Sequence, residues 1–199
     1  MILFVTKLAI CCSYERMDHT EDQIYVDRVK NGDTASYSFL LNKYKNMAYT
    51  IALKITGNAE EAEDAVQEGF IKAYQAIHSF KGSSKFSTWL YTIVYRTAIL
   101  MIKDKRIKTF SIDDEHHPHD ATDGSVPQLD QLHSDEQAKY VRQAIEKLPK
   151  TEALLVTLYY INESTIKEVC EITGLSIPNV KIQLFRARKR LERELKFLL

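Results

Sequence analysis

The part of the sequence that most constrains the fold is a helical pattern near the carboxyl terminus that is interrupted by one glycine. Thr165 and Glu168 have the spacing of a capping box, in which each side chain bonds the other residue's backbone N–H at the start of a helix. Gly174 provides the positive φ that a tight turn after this short helix requires. A longer helix begins at Ser176, and its predicted inward stripe is Ile177, Val180, Leu184, Ala187, Leu191 and Leu195. Together these signals predict a helix-turn-helix.

The second helix of this motif carries basic and amide side chains off its apolar stripe. These residues are Lys181, Gln183, Arg186, Arg188, Lys189, Arg190 and Arg193. Lys and Arg on one helix of a helix-turn-helix can meet phosphates and base edges in a major groove of DNA. A solvated helix face is the alternative interpretation of the same residues.

The remaining periodic segments are also helical. Apolar residues recur with a helical period at about 37–55, 62–77, 87–103, 138–148 and 154–159. Asn58 with Glu61, and Ser134 with Gln137, have the spacing of capping boxes before the second and fourth of these segments. The chain contains only 6 Gly and 4 Pro, which disfavours an all-β chain because such a chain needs many turns. The predicted fold class is therefore all-α.

An acidic segment divides the chain into two parts. Residues 106–137 contain 2 basic and 8 acidic residues, whereas residues 138–199 contain 12 basic and 7 acidic residues. The acidic segment has no apolar period and holds two of the four prolines, which is typical of a flexible linker. We expect two small helical domains, at 24–106 and 135–199, joined by a flexible linker at 107–134. Residues 1–23 form an extension whose native start is either Met1 or Met17.

Composition and targeting signals indicate a cytoplasmic protein. Three cysteines do not make a paired disulfide framework. The apolar start lacks both the basic region and the cleavage site of a signal peptide, and no later apolar stretch has the length of a membrane span. We therefore expect a reducing environment and no membrane insertion.

Four stretches, taken in order, carry a resemblance to a known family. They are Val29–Asp33 with the helix that follows, Asn58–Ile77, Phe80–Tyr91 and Leu148–Leu191. Over these stretches the chain resembles the extracytoplasmic-function (ECF) group of bacterial sigma factors, within the sigma-70 family. The resemblance implies a promoter-specificity subunit of RNA polymerase that is not an enzyme and uses no cofactor. Its implied partners are core RNA polymerase (the clamp of the largest subunit and the flap), promoter DNA and an anti-sigma factor.

The resemblance also implies roles for individual residues. Core polymerase would be bound by Asp64, Gln67 and Glu68. The −10 element would be recognised and melted by Phe80, Lys81, Gly82, Ser83, Ser84, Lys85, Phe86, Trp89 and Arg96, with Phe86 and Trp89 as aromatic platforms for bases. The −35 element would be bound by Lys181, Ile182, Phe185, Arg186 and Lys189. Of the cations in this region, Arg188, Lys189 and Arg190 would hold phosphates or the fold.

The chain departs from the family pattern at several of these positions. Arg96 replaces a usual Asn and Leu100 a common acidic residue, so the −10 preference is expected to be unusual. Ile182 replaces a frequent Ser and Gln183 a frequent Arg on the recognition helix. The −35 sequence therefore does not follow from the resemblance.

Simpler interpretations remain for most of these features. Phe86 and Trp89 fit a purely structural core, and residues 60–68 fit a solvated acidic face. His116, His117 and His119 are candidate metal ligands, although no metal site is expected in an acidic linker. Two other functions remain open: a helix-turn-helix regulator that binds duplex DNA without polymerase, and an all-helical metalloenzyme. The second lacks the Glu-x-x-His pairs of bundle di-metal sites.

Overall fold

The computed structural model describes residues 19–110 and 135–196, and all regular elements within them are helical. The described residues fall into two compact units, one containing 19–110 and the other containing 135–196. The prediction of an all-α chain with two small helical regions is confirmed. Met17, Ser134 and the three linker histidines lie outside the described residues.

The amino-terminal unit consists of four α-helices and a short 3₁₀ turn. The helices are α1 (His19–Lys30), α2 (Ala35–Thr56), α3 (Ala59–Gln75) and α4 (Phe86–Phe110), with the 3₁₀ turn at Ile77–Ser79 between α3 and α4. At the start of α3 the Asn58 side chain accepts a 3.0 Å hydrogen bond from the backbone N–H of Glu61, as the spacing predicts. The core of this unit includes the buried side chains of Leu40, Tyr44, Ala48, Ile51, Leu90, Tyr91 and Val94.

Helix α1 was not among the predicted helices, and it begins before residue 24, where we expected the first domain to start. It is fixed to α2 through the buried Asp22, which accepts hydrogen bonds from the Tyr44 hydroxyl and from Lys43 Nζ, the latter at 2.7 Å. Burial raises the pKa of the Tyr44 hydroxyl, and its bond to Asp22 raises that pKa further. The hydroxyl therefore keeps its proton and remains a donor to the carboxylate.

Helix α3 packs closely against α4 at Gly69. A Cβ atom at Gly69 would lie 2.9 Å from Val94 Cγ2, so a larger residue would push the two helices apart. Helix α4 continues to Phe110, whereas the sequence pattern ends the helix near Lys103 and places the linker from residue 107. Lys and Arg are good helix formers and are favoured at helix carboxyl termini, which accounts for the longer helix.

The carboxy-terminal unit contains the predicted helix-turn-helix. Its helices are α5 (Asp135–Glu146), α6 (Lys150–Val156), α7 (Ile166–Thr173) and α8 (Ile177–Glu194), with a π-helical turn at Thr157–Ile161 after α6. Both bonds of the Thr165–Glu168 capping box form at the start of α7, and Gly174 ends this helix with φ of 72°. The helix-turn-helix prediction is confirmed.

One residue of the predicted inward stripe of α8 is on the surface instead. Val180, Leu184, Ala187 and Leu191 are buried, but the side chain of Ile177 is 48% exposed. Ile177 is the first residue of α8, one turn before the packed part of the stripe begins at Val180. The prediction that Ile177 points inward is therefore wrong.

Candidate nucleic-acid and protein interfaces

Helix α3 presents an acidic face to solvent, formed by Asp64, Gln67 and Glu68. All three residues are exposed, and their spacing of three and four residues places them on one side of the helix. Glu68 Oε1 lies 3.2 Å from Lys72 Nζ on the same helix, with both side chains nearly half exposed. An ion pair this exposed is weak and leaves the carboxylate available to a partner.

Two further residues on α3 bear on how this face works. Glu61 is tied to α4 through an ion pair with Lys105, so its carboxylate is engaged within the unit. Ile71 lies three residues beyond Glu68, and its side chain is 52% exposed. Sequence reasoning missed Ile71, although a large apolar residue at this spacing from the acidic face is a readable signal.

Three aromatic residues form a cluster where α4 begins. The ring centroids of Phe80 and Trp89 are 5.3 Å apart, those of Phe86 and Trp89 are 5.6 Å apart, and those of Phe80 and Phe86 are 5.5 Å apart. Phe80 and Phe86 are buried, and Phe86 also packs on Tyr44 with centroids 5.7 Å apart. Trp89 is half-buried. Of the two predicted platforms, Trp89 has accessible surface in this structure. Phe86 is buried, and together with Phe80 it forms the floor, the pair of buried rings against which Trp89 packs.

The connecting loop, residues 80–85, runs from the 3₁₀ turn to α4 beside this cluster. Lys81, Gly82, Ser83 and Lys85 are exposed and Ser84 is half-buried. Gly82 has φ of 70°, a conformation that side-chain-bearing residues rarely adopt. Lys30 of α1 donates a 2.7 Å hydrogen bond from Nζ to the carbonyl oxygen of Phe80. Lys30 was not a candidate site residue, and no local sequence signal links it to this loop.

The departures Arg96 and Leu100 both lie on the surface of α4. Arg96 is exposed, and the Leu100 side chain is 53% exposed. Arg96 follows Trp89 by two helical turns, and Leu100 follows Arg96 by one more turn, so the three residues share one side of the helix. The exposed side of α4 therefore combines an indole, a guanidinium and an apolar side chain.

The outer face of α8 contains Lys181, Ile182, Phe185, Arg186 and Lys189, all of which are exposed. Two of them are large and apolar: the side chain of Ile182 is 52% exposed and that of Phe185 is 59% exposed. Ile177, Lys181 and Phe185 follow one another at four-residue steps, so Ile177 extends this face toward the helix amino terminus. A face of alternating cations and apolar groups suits the edges of base pairs.

The neighbouring cations Arg188 and Arg190 are engaged within the unit. Arg188 donates a hydrogen bond from Nε to the Tyr160 hydroxyl, and its guanidinium lies 5.6 Å from the Tyr160 ring centroid. Arg190 Nε lies 3.2 Å from Glu152 Oε2, and the Glu152 side chain is only 8% exposed. Because a buried carboxylate needs a nearby positive charge, Arg190 stabilises the position of Glu152.

Comparison with known proteins identifies the family. The model of Sigma-70 region 2 matches residues 40–107, and that of Sigma-70 region 4 matches residues 138–191. The ECF RNA polymerase sigma factor SigW of Bacillus subtilis is 33% identical over 181 residues, which cover 87% of this chain and 96% of SigW. The chain belongs to the ECF sigma factors of the sigma-70 family. The RNA polymerase sigma-H factor of Pseudomonas aeruginosa is 30% identical over 186 residues, covering 90% of this chain and 96% of that protein.

Two solved structures share this fold. CnrH in complex with the cytosolic domain of CnrY is 18% identical with a TM-score of 0.59, covering 90% of this chain and 98% of that chain. RpoE from Bartonella quintana, in complex with the anti-sigma factor NepR, is 21% identical with a TM-score of 0.60, covering 80% of this chain and 96% of that chain. The chain is an RNA polymerase sigma factor, and sigma factors are a family of regulatory rather than catalytic proteins.

The family match also places the surfaces described above. The region 2 match covers the acidic face and the connecting loop, and the region 4 match covers the outer face of α8. Helix α1 precedes both matches. Within residues 19–110 and 135–196, none of the helices has the length and hydropathy that a membrane-spanning helix requires. The same part of the chain holds no cluster of three or more potential metal ligands, and the three linker histidines fall outside it.

Proposed function

We propose that this sigma factor binds core RNA polymerase through its amino-terminal unit and directs initiation at promoters that its two units read separately. The observation that carries the proposal is that the family's contact positions on α3 and α8 form exposed faces of helices whose opposite sides are buried, and that Trp89 and Arg96 on α4 also have accessible surface. We assign residues 24–106, together with the rest of α1, to polymerase binding and the −10 element. Residues 135–199 are assigned to the −35 element, the end of α4 to Phe110 to the amino-terminal unit, and residues 111–134 to the linker between the two units.

The acidic face of α3 binds a basic surface of the polymerase clamp. Carboxylates and an amide at helical spacing can form charge-assisted hydrogen bonds with Arg at a fixed register. Ile71 supplies an apolar contact beside them, because interfaces combine an apolar centre with a polar rim. The carboxy-terminal unit contacts the polymerase flap.

The connecting loop and the aromatic cluster open the −10 element. Removing a base from its stack costs a few kcal/mol of free energy. Stacking of that base on an aromatic side chain offsets about 1–3 kcal/mol of this cost. Trp89 provides that stacking surface, and the buried rings of Phe80 and Phe86 hold it in place. Lys81 and Lys85 bind phosphates, while the backbone and hydroxyls of residues 82–84 bond the displaced base. Arg96 contacts the −10 element further along α4.

The outer face of α8 reads the −35 element in the major groove. Arg186 and Lys181 bond guanine edges or phosphates, and Lys189 bonds phosphates. Ile182 and Phe185 suit contact with the methyl groups of thymine, which are the apolar groups of the major groove. We therefore expect the −35 element to combine thymines with at least one guanine.

The chain acts without catalytic activity of its own and without a cofactor, in the cytoplasm, where polymerase and promoter DNA meet. The two solved neighbours are complexes of CnrH with the cytosolic domain of CnrY and of RpoE with the anti-sigma factor NepR. By analogy, we propose that a protein of the anti-sigma class holds this chain inactive.

Reconstituted transcription tests the proposal. Sequencing the transcripts that appear when the chain is overproduced supplies candidate promoters, and purified core polymerase is then mixed with one of these templates. We expect defined transcripts only when the chain is added, and their loss when the acidic face is reversed by Asp64→Lys and Glu68→Lys. Tight duplex binding with no polymerase association would instead support a helix-turn-helix regulator.

A further inference from the structure

Helix α1 contacts the connecting loop although it lies outside the matched family segments. Lys30 Nζ donates a 2.7 Å hydrogen bond to the carbonyl oxygen of Phe80, a residue 50 positions later in the chain. The same ammonium group lies 5.8 Å from the centroid of the Phe80 ring. A charged donor on a half-buried side chain thus holds the first residue of the loop at its backbone and at its ring face.

A second residue of α1 lies against the loop two helical turns earlier. Gln23 Oε1 is 3.3 Å from the position that a Cβ atom at Gly82 would occupy. The Gln23 side chain is itself held by Asp27, which accepts a 2.8 Å hydrogen bond from Gln23 Nε2. Helix α1 therefore lies against the loop at Phe80 and at Gly82, on both sides of the exposed Lys81.

Helix α1 is itself fixed to α2 by side-chain contacts. The Tyr25 ring stacks on the Phe39 ring of α2 with centroids 3.8 Å apart. The buried Asp22 is bonded to two side chains of α2, as described above. Movement of α1 relative to α2 would break these contacts together, so α1 holds the loop in a position that is set by the core of the unit.

We propose that Lys30 is a positioning residue for promoter opening. By fixing the Phe80 carbonyl and ring, it holds the floor on which Trp89 rests and the start of the loop that receives the unpaired base. This inference rests on the proposed melting role of Trp89 and the loop. Lys30 acts through Phe80 and makes no contact with DNA in this role.

The test compares Lys30→Met, Lys30→Arg and a control, Lys45→Met, in holoenzyme assembled with core polymerase. Lys45 is an exposed lysine on α2 whose Nζ bonds the side chain of Asn42 on the same helix. Three quantities are measured: affinity for core polymerase, the rate of −10 opening on duplex DNA by permanganate reactivity, and initiation on a template pre-melted at the −10 element. Trp89 is the only tryptophan in the chain, so fluorescence of the chain before it is mixed with polymerase reports directly on the aromatic cluster.

We expect Lys30→Met to slow opening of the duplex promoter by about tenfold, the factor expected for loss of one charge-assisted hydrogen bond. Affinity for polymerase and initiation on the pre-melted template should match wild type, and Trp89 emission should shift. Lys30→Arg should restore opening and emission, because a guanidinium can also donate to the carbonyl oxygen.

Four results would overturn the inference: wild-type opening by Lys30→Met, an equal loss on duplex and pre-melted templates, failure of Lys30→Arg to restore opening, or the same loss in Lys45→Met. If the proposed function itself were wrong, the experiments would give a different set of results. In that case, wild-type protein itself would not open a promoter, or Trp89→Ala would open it normally.

Discussion

The two units both carry an aromatic residue at their proposed DNA contacts, but they support it in different ways. Trp89 in the amino-terminal unit is half-buried and rests on the buried rings of Phe80 and Phe86. Phe185 in the carboxy-terminal unit is 59% exposed and projects from the outer face of α8. A ring held on a fixed floor suits a base that has left its stack, whereas a projecting ring suits the edge of an intact base pair. We therefore propose that the degree of burial distinguishes a surface that melts DNA from a surface that reads it.

The largest expected effect comes from removing the supported ring. Trp89→Ala should slow opening of a duplex promoter by about 10- to 100-fold, because stacking worth about 1–3 kcal/mol is lost. The rate is measured by permanganate reactivity of the −10 thymines in holoenzyme. On a template already melted at the −10 element, initiation by the variant should recover most of this loss.

Phe185→Ala is the matched control for Trp89→Ala, because it removes the projecting ring. Its defect should be the same on both templates, since the −35 element remains duplex in each. If Trp89→Ala were equally impaired on duplex and pre-melted DNA, the distinction between the two rings would be wrong.

The next effect concerns the cations that surround the projecting ring. Arg186→Ala should weaken promoter-specific initiation by about 1–3 kcal/mol if the guanidinium bonds a base edge, and should relax specificity at one position of the −35 element. Binding to a library of −35 sequences measures both quantities. Arg142→Ala removes an exposed arginine from α5 of the same unit, and it should lower the affinity for all sequences alike or not at all. If Arg186→Ala lowered the affinity for all −35 sequences equally, Arg186 would contact phosphates rather than a base.

A third test asks whether adjacent cations of α8 have different tasks. Arg190→Ala leaves the buried Glu152 carboxylate without its ion pair, and we expect the unit to lose about 2 kcal/mol of unfolding free energy, because Arg190 itself is half exposed. Lys189→Ala should instead lower DNA affinity and leave the urea midpoint unchanged. Urea unfolding followed by circular dichroism, with DNA binding measured beside it, separates the two. Similar midpoints for both variants would show that Arg190 does not stabilise the fold.

Local signals in the sequence were sufficient for much of the fold. The Asn58 and Thr165 caps and the Gly174 turn depend on neighbours within a few residues, and each is found where its spacing predicts. Contacts between distant segments were not predictable in this way. The bond from Lys30 to Phe80 joins residues 50 positions apart, and the pairing of Arg190 with Glu152 depends on how α8 packs against α6.

The candidate sites show the same division. The exposed positions on α3 and α8 followed from helical periodicity, which separates the two sides of an amphipathic helix. Periodicity does not say how deeply a residue at the start of a helix is buried. For that reason Ile177 was predicted inward although it is exposed. The platform role of Phe86 came from the family resemblance instead, and its burial agrees with the core interpretation that periodicity favoured.

The smallest expected effect concerns a carboxylate of the amino-terminal unit, at the start of α2. Asp33 accepts hydrogen bonds from the Ser36 hydroxyl at 2.7 Å and from the Ser36 backbone N–H at 3.3 Å. These bonds to the charged form lower the pKa of Asp33 below its ordinary value of 3.8. As the pH falls, the unfolded chain therefore takes up this proton before the folded chain does. The stabilisation is complete above the ordinary pKa and is lost as the pH falls through the lowered one.

Asp33→Asn tests this effect because an amide does not titrate in this range: its oxygen can accept from the Ser36 N–H, and its NH2 group can donate to Ser36 Oγ. The urea midpoint of the amino-terminal unit is followed by Trp89 fluorescence at several pH values between about 6 and 3, a range that spans the ordinary pKa of an aspartate. The difference in urea midpoint between wild type and variant should be constant at the upper end of this pH range. It should change at pH values below the ordinary pKa of aspartate. The carboxy-terminal unit contains no tryptophan, so its unfolding is followed by circular dichroism. It should be the same in both proteins, because that unit does not contain Asp33. Parallel curves over the whole range would mean that the Ser36 bonds do not favour the charged form of Asp33.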